Sequence, residues 1–191
     1  IEYKNLFFLF YDFASTFSGT APSSSPYSRG GRSFQLLQGN KGNINEKKMM
    51  DFLRDHKAGI CMHGGFESTG SQVSILDEES NSIHWFTGTT IPCLSNYKPY
   101  CFPLKDHQYQ HPAPYNNIDQ NWVWCRHAHV VRQMTSYFSE TQSSEFQSKV
   151  YNFESDVLNK LKNIINEQKP FDFEKISKIN EDCWKFTENL L

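Results

Sequence analysis

Apolar positions change their spacing along this chain. Leu6–Phe17 is a nearly continuous, Phe-rich apolar run that ends at Ser18-Gly19. Such a run suits an internal strand or helix better than an exposed terminus, so polypeptide preceding Ile1 is expected. Thr20–Gly31 is rich in Ser, Pro and Gly and reads as an irregular loop. From Asn43 to His56 the pattern is helical. Met49, Met50 and Leu53 share a face, Asn45 supplies an N-cap, and Gly59 stands just past the end. Gln72–Leu76 and Ile83–Thr87 read as strands, with the polar segment Asp77–Ser82 as the hairpin loop between them. Pro92, Pro99, Pro103, Pro112 and Pro114 then punctuate a stretch that predicts extended chain or loop as far as Ile118.

Beyond that point the helical period dominates. Val123, His127, Val130, Val131, Met134, Tyr137 and Phe138 form one stripe. Ser144 and Gln147 have capping-box spacing and predict the start of a second helix. Its stripe is Phe146, Val150, Phe153, Val157, Leu158, Leu161, Ile164 and Ile165, and Pro170 bars its continuation. A third stripe follows Ile176, Ile179, Cys183, Phe186 and Leu190. A mixed portion over 1–118 followed by a helical portion over 119–191 predicts an α+β fold, with strands together and helices covering them. No internal repeat is apparent.

Composition narrows the classes. At 191 residues, 38% hydrophobic and 15% aromatic, the chain can bury a substantial core. A net charge of -2 gives no electrostatic reason to expect nucleic acid or an anionic membrane as partner. Leu6–Phe10 is too short an apolar run to span a bilayer. Five cysteines at irregular spacing, with no C-x-x-C pair, read as free thiols in a reducing compartment, hence a cytoplasmic protein.

Several groups of residues invite a chemical reading. Cys61 and His63 are two apart, as are Cys125, His127 and His129 in turn. Zinc needs about four ligands in tetrahedral reach. Helical positions two apart point about 200° from one another, so the second group cannot chelate together, and Cys125 and His127 read as packing residues. Cys61 lies among Gly59, Gly64 and Gly65 without the local signature of a cysteine–histidine hydrolase and reads as a buried or turn cysteine. No metal and no cofactor are expected. Arg29 and Arg32 flank Gly30-Gly31. They are candidates for holding a substrate carboxylate bidentately, against the alternative of a solvated surface loop. Ser68-Thr69-Gly70-Ser71 would either line a pocket or satisfy backbone groups where a strand begins.

The blocks Asp55-His56-Lys57-Ala58-Gly59-Ile60-Cys61-Met62, Glu67 to Leu76, Ile83-His84-Trp85-Phe86-Thr87-Gly88-Thr89 and Tyr97-Lys98-Pro99-Tyr100 resemble the C-terminal half of the secernins. These are a branch of the dipeptidase-like N-terminal-nucleophile (Ntn) hydrolases. Tyr11-Asp12-Phe13-Ala14 is loosely similar to an earlier family motif, and the helical tail agrees in layout. The resemblance implies the C-terminal portion of an αββα Ntn sandwich with a helical tail. It further implies a cysteine hydrolase of small amides such as dipeptides, with its nucleophile on an upstream segment and no catalytic residue in this chain. Arg29 and Arg32 fall near the position of a pocket arginine in related enzymes. The alternative it leaves open is a non-catalytic interaction protein linked to exocytosis, whose Ile176–Leu190 stripe would dock a partner helix. Fold alone does not decide between them.

Overall fold

The computed structural model describes residues 25–76, 82–101, 120–136, 140–167 and 172–191. The Leu6–Phe17 run, the hairpin tip and most of the proline-rich stretch lie outside those residues, as do Tyr137 and Phe138.

Helix α1, Arg29–Gly39, begins earlier than the loop composition predicts. Ser28 caps it, its hydroxyl accepting from the Gly31 amide at 3.0 Å, and the Arg32 amide donates to the Ser28 carbonyl at 2.8 Å. The expected loop therefore gives way to helix at Arg29, because a serine cap outweighs two glycines in the first turn. Helix α2, Glu46–Leu53, is capped as predicted, with the Asn45 side chain accepting from the Lys48 amide at 2.9 Å. It stops at Leu53, ahead of the predicted end at His56, and Gly59 takes a positive φ of 67° in the turn beyond.

The hairpin forms as β1, Gln72–Ile75, and β2, Ile83–Phe86, antiparallel with Val73 opposite Trp85. A third strand, β3, Lys98–Cys101, pairs antiparallel with β2. The sheet order is β1-β2-β3. The proline content had pointed away from a strand at this place. Pro99 is tolerated because β3 lies at the sheet edge, where Asn180 donates its side-chain amide to the Pro99 carbonyl at 2.8 Å. A short 3₁₀ turn, Pro92–Leu94, precedes this strand.

Three helices complete the described fold: α3, Val123–Ser136; α4, Glu140–Glu167; and α5, Phe173–Asn189. Ser144 and Gln147 lie inside α4 and do not open it. An exposed serine costs a helix interior only tenths of a kcal/mol, so the capping-box spacing is not decisive. Helix α5 starts at Asp172, whose carboxylate accepts from the Lys175 amide. The fold is α+β. No described helix is long and apolar enough to cross a membrane.

Two hydrophobic clusters share α4 as their floor. Val157, Leu158 and Leu161 pack with Met50, Val73, Ile83, Trp85, Ile176 and Cys183. One helical stretch earlier, Phe146 and Val150 pack with Cys61, Ile91, Cys93, Leu94 and Val131. Each large side chain buried this way contributes about 1.5–3 kcal/mol. The two faces of the sheet differ. Val73, Ile83, Trp85 and Cys101 point into the core, whereas Gln72 and Ser74 are exposed and His84, Phe86 and Tyr100 half-buried on the other side.

Candidate functional site

The segment between β2 and β3 is polar in sequence and buried in the structure. Thr87, Thr89, Thr90, Ser95, Asn96 and Lys98 are all nearly inaccessible. The hydroxyls of Thr87, Thr89 and Ser95 serve the turn itself, while that of Thr90 donates to Glu67 and to the Ser68 carbonyl. Ser95 Oγ donates to the Thr90 carbonyl at 2.7 Å, and Thr89 Oγ1 donates to Ser95 Oγ at 3.0 Å. Gly88 adopts a φ of 59°, and a Cβ there would stand 2.7 Å from the Trp184 ring. Ile91, a β-branched residue preceding a proline, sits at φ 56°. That conformation costs on the order of 1–3 kcal/mol, and the surrounding hydrogen bonds hold it. The Lys98 ammonium is fully buried. It donates to the carbonyls of Thr87 at 2.6 Å and Asn96 at 3.1 Å and lies 4.3 Å from the Trp184 ring. Burial lowers its pKa to about 7.

Arg54, just past α2, anchors this segment from within. Its two terminal nitrogens meet the Glu154 carboxylate at 2.8 and 2.7 Å. Nε donates to the Pro92 carbonyl at 3.0 Å and Nη2 to the Ser95 carbonyl at 2.9 Å. Glu154 also accepts the Tyr97 amide at 2.9 Å. Burial works against the Arg54 charge, but the paired carboxylate more than restores it, so the guanidinium stays ionised.

The turn after Arg54 reaches outward and builds a second cluster. The Asp55 carbonyl accepts the Cys61 amide at 3.0 Å, and the His56 carbonyl accepts the Gly59 amide at 3.2 Å. Folding the turn back in this way brings His56 to His63, Nε2 to Nε2, at 3.3 Å with the rings at 84° to each other. Cys93, from the 3₁₀ turn, completes a group whose ligand atoms all lie within 4.8 Å of one another. Cys61 lies beside this group of three, buried in one apolar cluster with Cys93 and close to donors on Cys93 and His56. Those donors, Cys93 foremost, lower the Cys61 pKa, while the same contact raises that of Cys93. The Cys61 contact also raises His56. Both sulfurs are buried at 3% exposure, and both imidazoles are exposed. Two thiols inside and two imidazoles outside can bind a soft or borderline metal ion, or the thiols can act as a redox pair.

The remaining predicted site residues fall elsewhere. Arg32 donates to Asp55 Oδ2 from Nε at 3.0 Å and from Nη2 at 2.6 Å, so a substrate carboxylate would have to displace Asp55. Arg29 is exposed in the first turn of α1. The Ser68 hydroxyl satisfies a backbone group, whereas the Ser71 hydroxyl bonds that of Tyr97. Ser68 Oγ accepts the Met62 amide at 3.0 Å, and the Ser71 amide donates to Thr87 Oγ1 at 3.0 Å. His127 is buried, with Nε2 3.1 Å from the Leu94 carbonyl and Nδ1 unpartnered. Burial lowers its pKa to about 4. Cys125 and His129 do not join it in any cluster among the described residues. Sequence reasoning weighed Cys61 and His63 together but missed His56 and Cys93. The first sits beyond a turn whose geometry no spacing rule predicts, and the second is distant in the chain.

No protein-family model matches this chain, and no solved structure matches it.

Proposed function

We propose that this chain is the C-terminal part of a secernin-like cysteine Ntn hydrolase acting on small amides such as dipeptides, with the nucleophile supplied by polypeptide outside these 191 residues. The observation that carries the reading is the two-sidedness of the sheet. Helices cover the face of Val73, Ile83 and Trp85; on the other, Trp184 of α5 covers Lys98 and reaches the Tyr100 hydroxyl, while Phe86 and Tyr100 stay half-exposed, their rings 5.5 Å apart edge to face. In a helix–sheet–sheet–helix sandwich, that second face is the one a partner sheet covers. Arg29 is then available to a substrate carboxylate, and Arg32 becomes so if it releases Asp55.

The test is the mature N-terminus of the protein purified from its source, followed by a dipeptide screen. A terminal cysteine and hydrolysis lost on thiol alkylation support the reading. A mature protein without that cysteine and without hydrolysis sinks it and leaves the second reading, a non-catalytic secernin-like interaction protein linked to exocytosis or a larger assembly.

A further inference from the structure

We propose that His56, His63 and Cys93 form a structural zinc site, closed by Cys61 as fourth ligand when the ion binds, that fastens the turn after α2 to the 3₁₀ turn before β3. The inference stands on the geometry of these side chains and does not depend on the hydrolase reading.

Four features point to the metal. In tetrahedral coordination, Zn–N bonds of about 2.0–2.1 Å place two imidazole nitrogens roughly 3.3 Å apart. The two Nε2 atoms stand 3.3 Å apart. Their rings are nearly perpendicular, with centroids 4.9 Å apart, and not stacked. The ligand atoms of His56, His63 and Cys93 lie within 4.8 Å of one another, and Cys61, buried in the same apolar cluster as Cys93, is placed to complete a Cys₂His₂ donor set. Two buried thiolates would be costly unless compensated, and a divalent cation neutralises both.

The surroundings hold the ligands in place, as the outer partners of a metal site do. Gln147 donates to the Cys93 carbonyl at 3.1 Å, and Ser68 bridges Met62 to Ile91 through its backbone and hydroxyl. Asp55, between Arg54 and His56, is clamped by Arg32 and accepts the Lys57 amide at 3.0 Å. With four protein ligands no coordination position stays open, which marks the site as structural and not catalytic. Binding releases the thiol protons to solvent, and no electron is transferred.

The test is metal content and Co(II) substitution of the intact protein purified under reducing conditions. Expected are about one zinc per chain and X-ray absorption fitting two sulfurs near 2.3 Å and two nitrogens near 2.0 Å. Co(II) should give the intense visible bands of a tetrahedral thiolate site. Cys61→Ser and Cys93→Ser should each abolish those bands, and Cys125→Ser should leave them intact. Since buried-cysteine variants can fail to fold, His63→Ala provides the second arm. His63 is exposed, so its loss should preserve the circular dichroism spectrum. It should still weaken zinc binding by more than the roughly 10–100-fold that an outer partner is worth. Two results would overturn the proposal. One is a folded, reduced protein that takes up neither Zn(II) nor Co(II), including one isolated with a Cys61–Cys93 disulfide that binds no metal after reduction. The other is Co(II) binding with an octahedral spectrum indifferent to Cys61→Ser.

Discussion

Arg54 and the Asp55–His63 turn leave the same end of α2 in opposite directions, and both fasten the loop between β2 and β3. The inward anchor is electrostatically complete. Arg54 meets one carboxylate and two carbonyls, and Glu154 takes the Tyr97 amide besides. The outward anchor brings the ligand atoms of His56, His63 and Cys93 within 4.8 Å of one another, with Cys61 alongside. A buried ion pair of this kind holds the loop unaided but contributes little net stability over an apolar replacement. A cluster of thiols and imidazoles holds it only when a cation fills the centre. The Pro92–Cys93 segment joins the two anchors, since Pro92 accepts from Arg54 and Cys93 belongs to the cluster.

Breaking the inward anchor should have the largest effect. Arg54→Ala leaves the Glu154 carboxylate buried and unpaired and should cost about 3–5 kcal/mol in urea unfolding. Arg54→Met with Glu154→Leu should recover most of that loss. Recovery no better than the single variant would show that the pair contributes more than its mutual neutralisation. Emptying the outward anchor comes next. For metal held at a thousandfold excess over its dissociation constant, a chelator should lower stability by about 4 kcal/mol in the wild type and by nothing in Cys93→Ser.

Lys98 tests how dry the inner region is. Its folded pKa is about 7 against an ordinary 10.5, so between those values the unfolded chain binds more protons. Stability therefore rises with pH in this window and is lost as pH falls toward 7. From pH 7 to 9 the wild type should gain about 2 kcal/mol relative to Lys98→Met. Equal slopes would mean that water reaches the ammonium. His127 has the same sign in a lower window. Its folded pKa is depressed from 6.5 to about 4, so its contribution is present above 6.5 and disappears as pH falls through 4. A deficit confined to that window, absent in His127→Gln, is the expected result. The smallest effect belongs to the Arg32–Asp55 clamp. The Arg32 hydrogen bond holds the Asp55 carboxyl below its usual range, and Arg32→Ala should let it rise in an NMR titration without unfolding the chain.

Local rules reached a good part of this molecule from sequence. The Asn45 cap, the two strands of the hairpin, and the apolar stripes of α3, α4 and α5 all follow from periodicity and capping, which depend on neighbouring residues alone. What escaped depends on distant residues. Strand β3 exists despite Pro99 because α5 covers its edge and Asn180 takes its carbonyl. Helix α4 begins ahead of the Ser144 signal. The polar run Thr87–Lys98 is buried because Arg54 and Glu154 meet its backbone groups from elements far away in the chain. Arg32 looked available to a substrate because nothing nearby in sequence names Asp55 as its partner. Spacing along the chain was enough to read a mixed portion followed by helices, with α1 and β3 left out. Only the tertiary structure could bring His56, Cys61 and His63 to Cys93, because their convergence depends on a folded turn and a contact between segments remote in the chain.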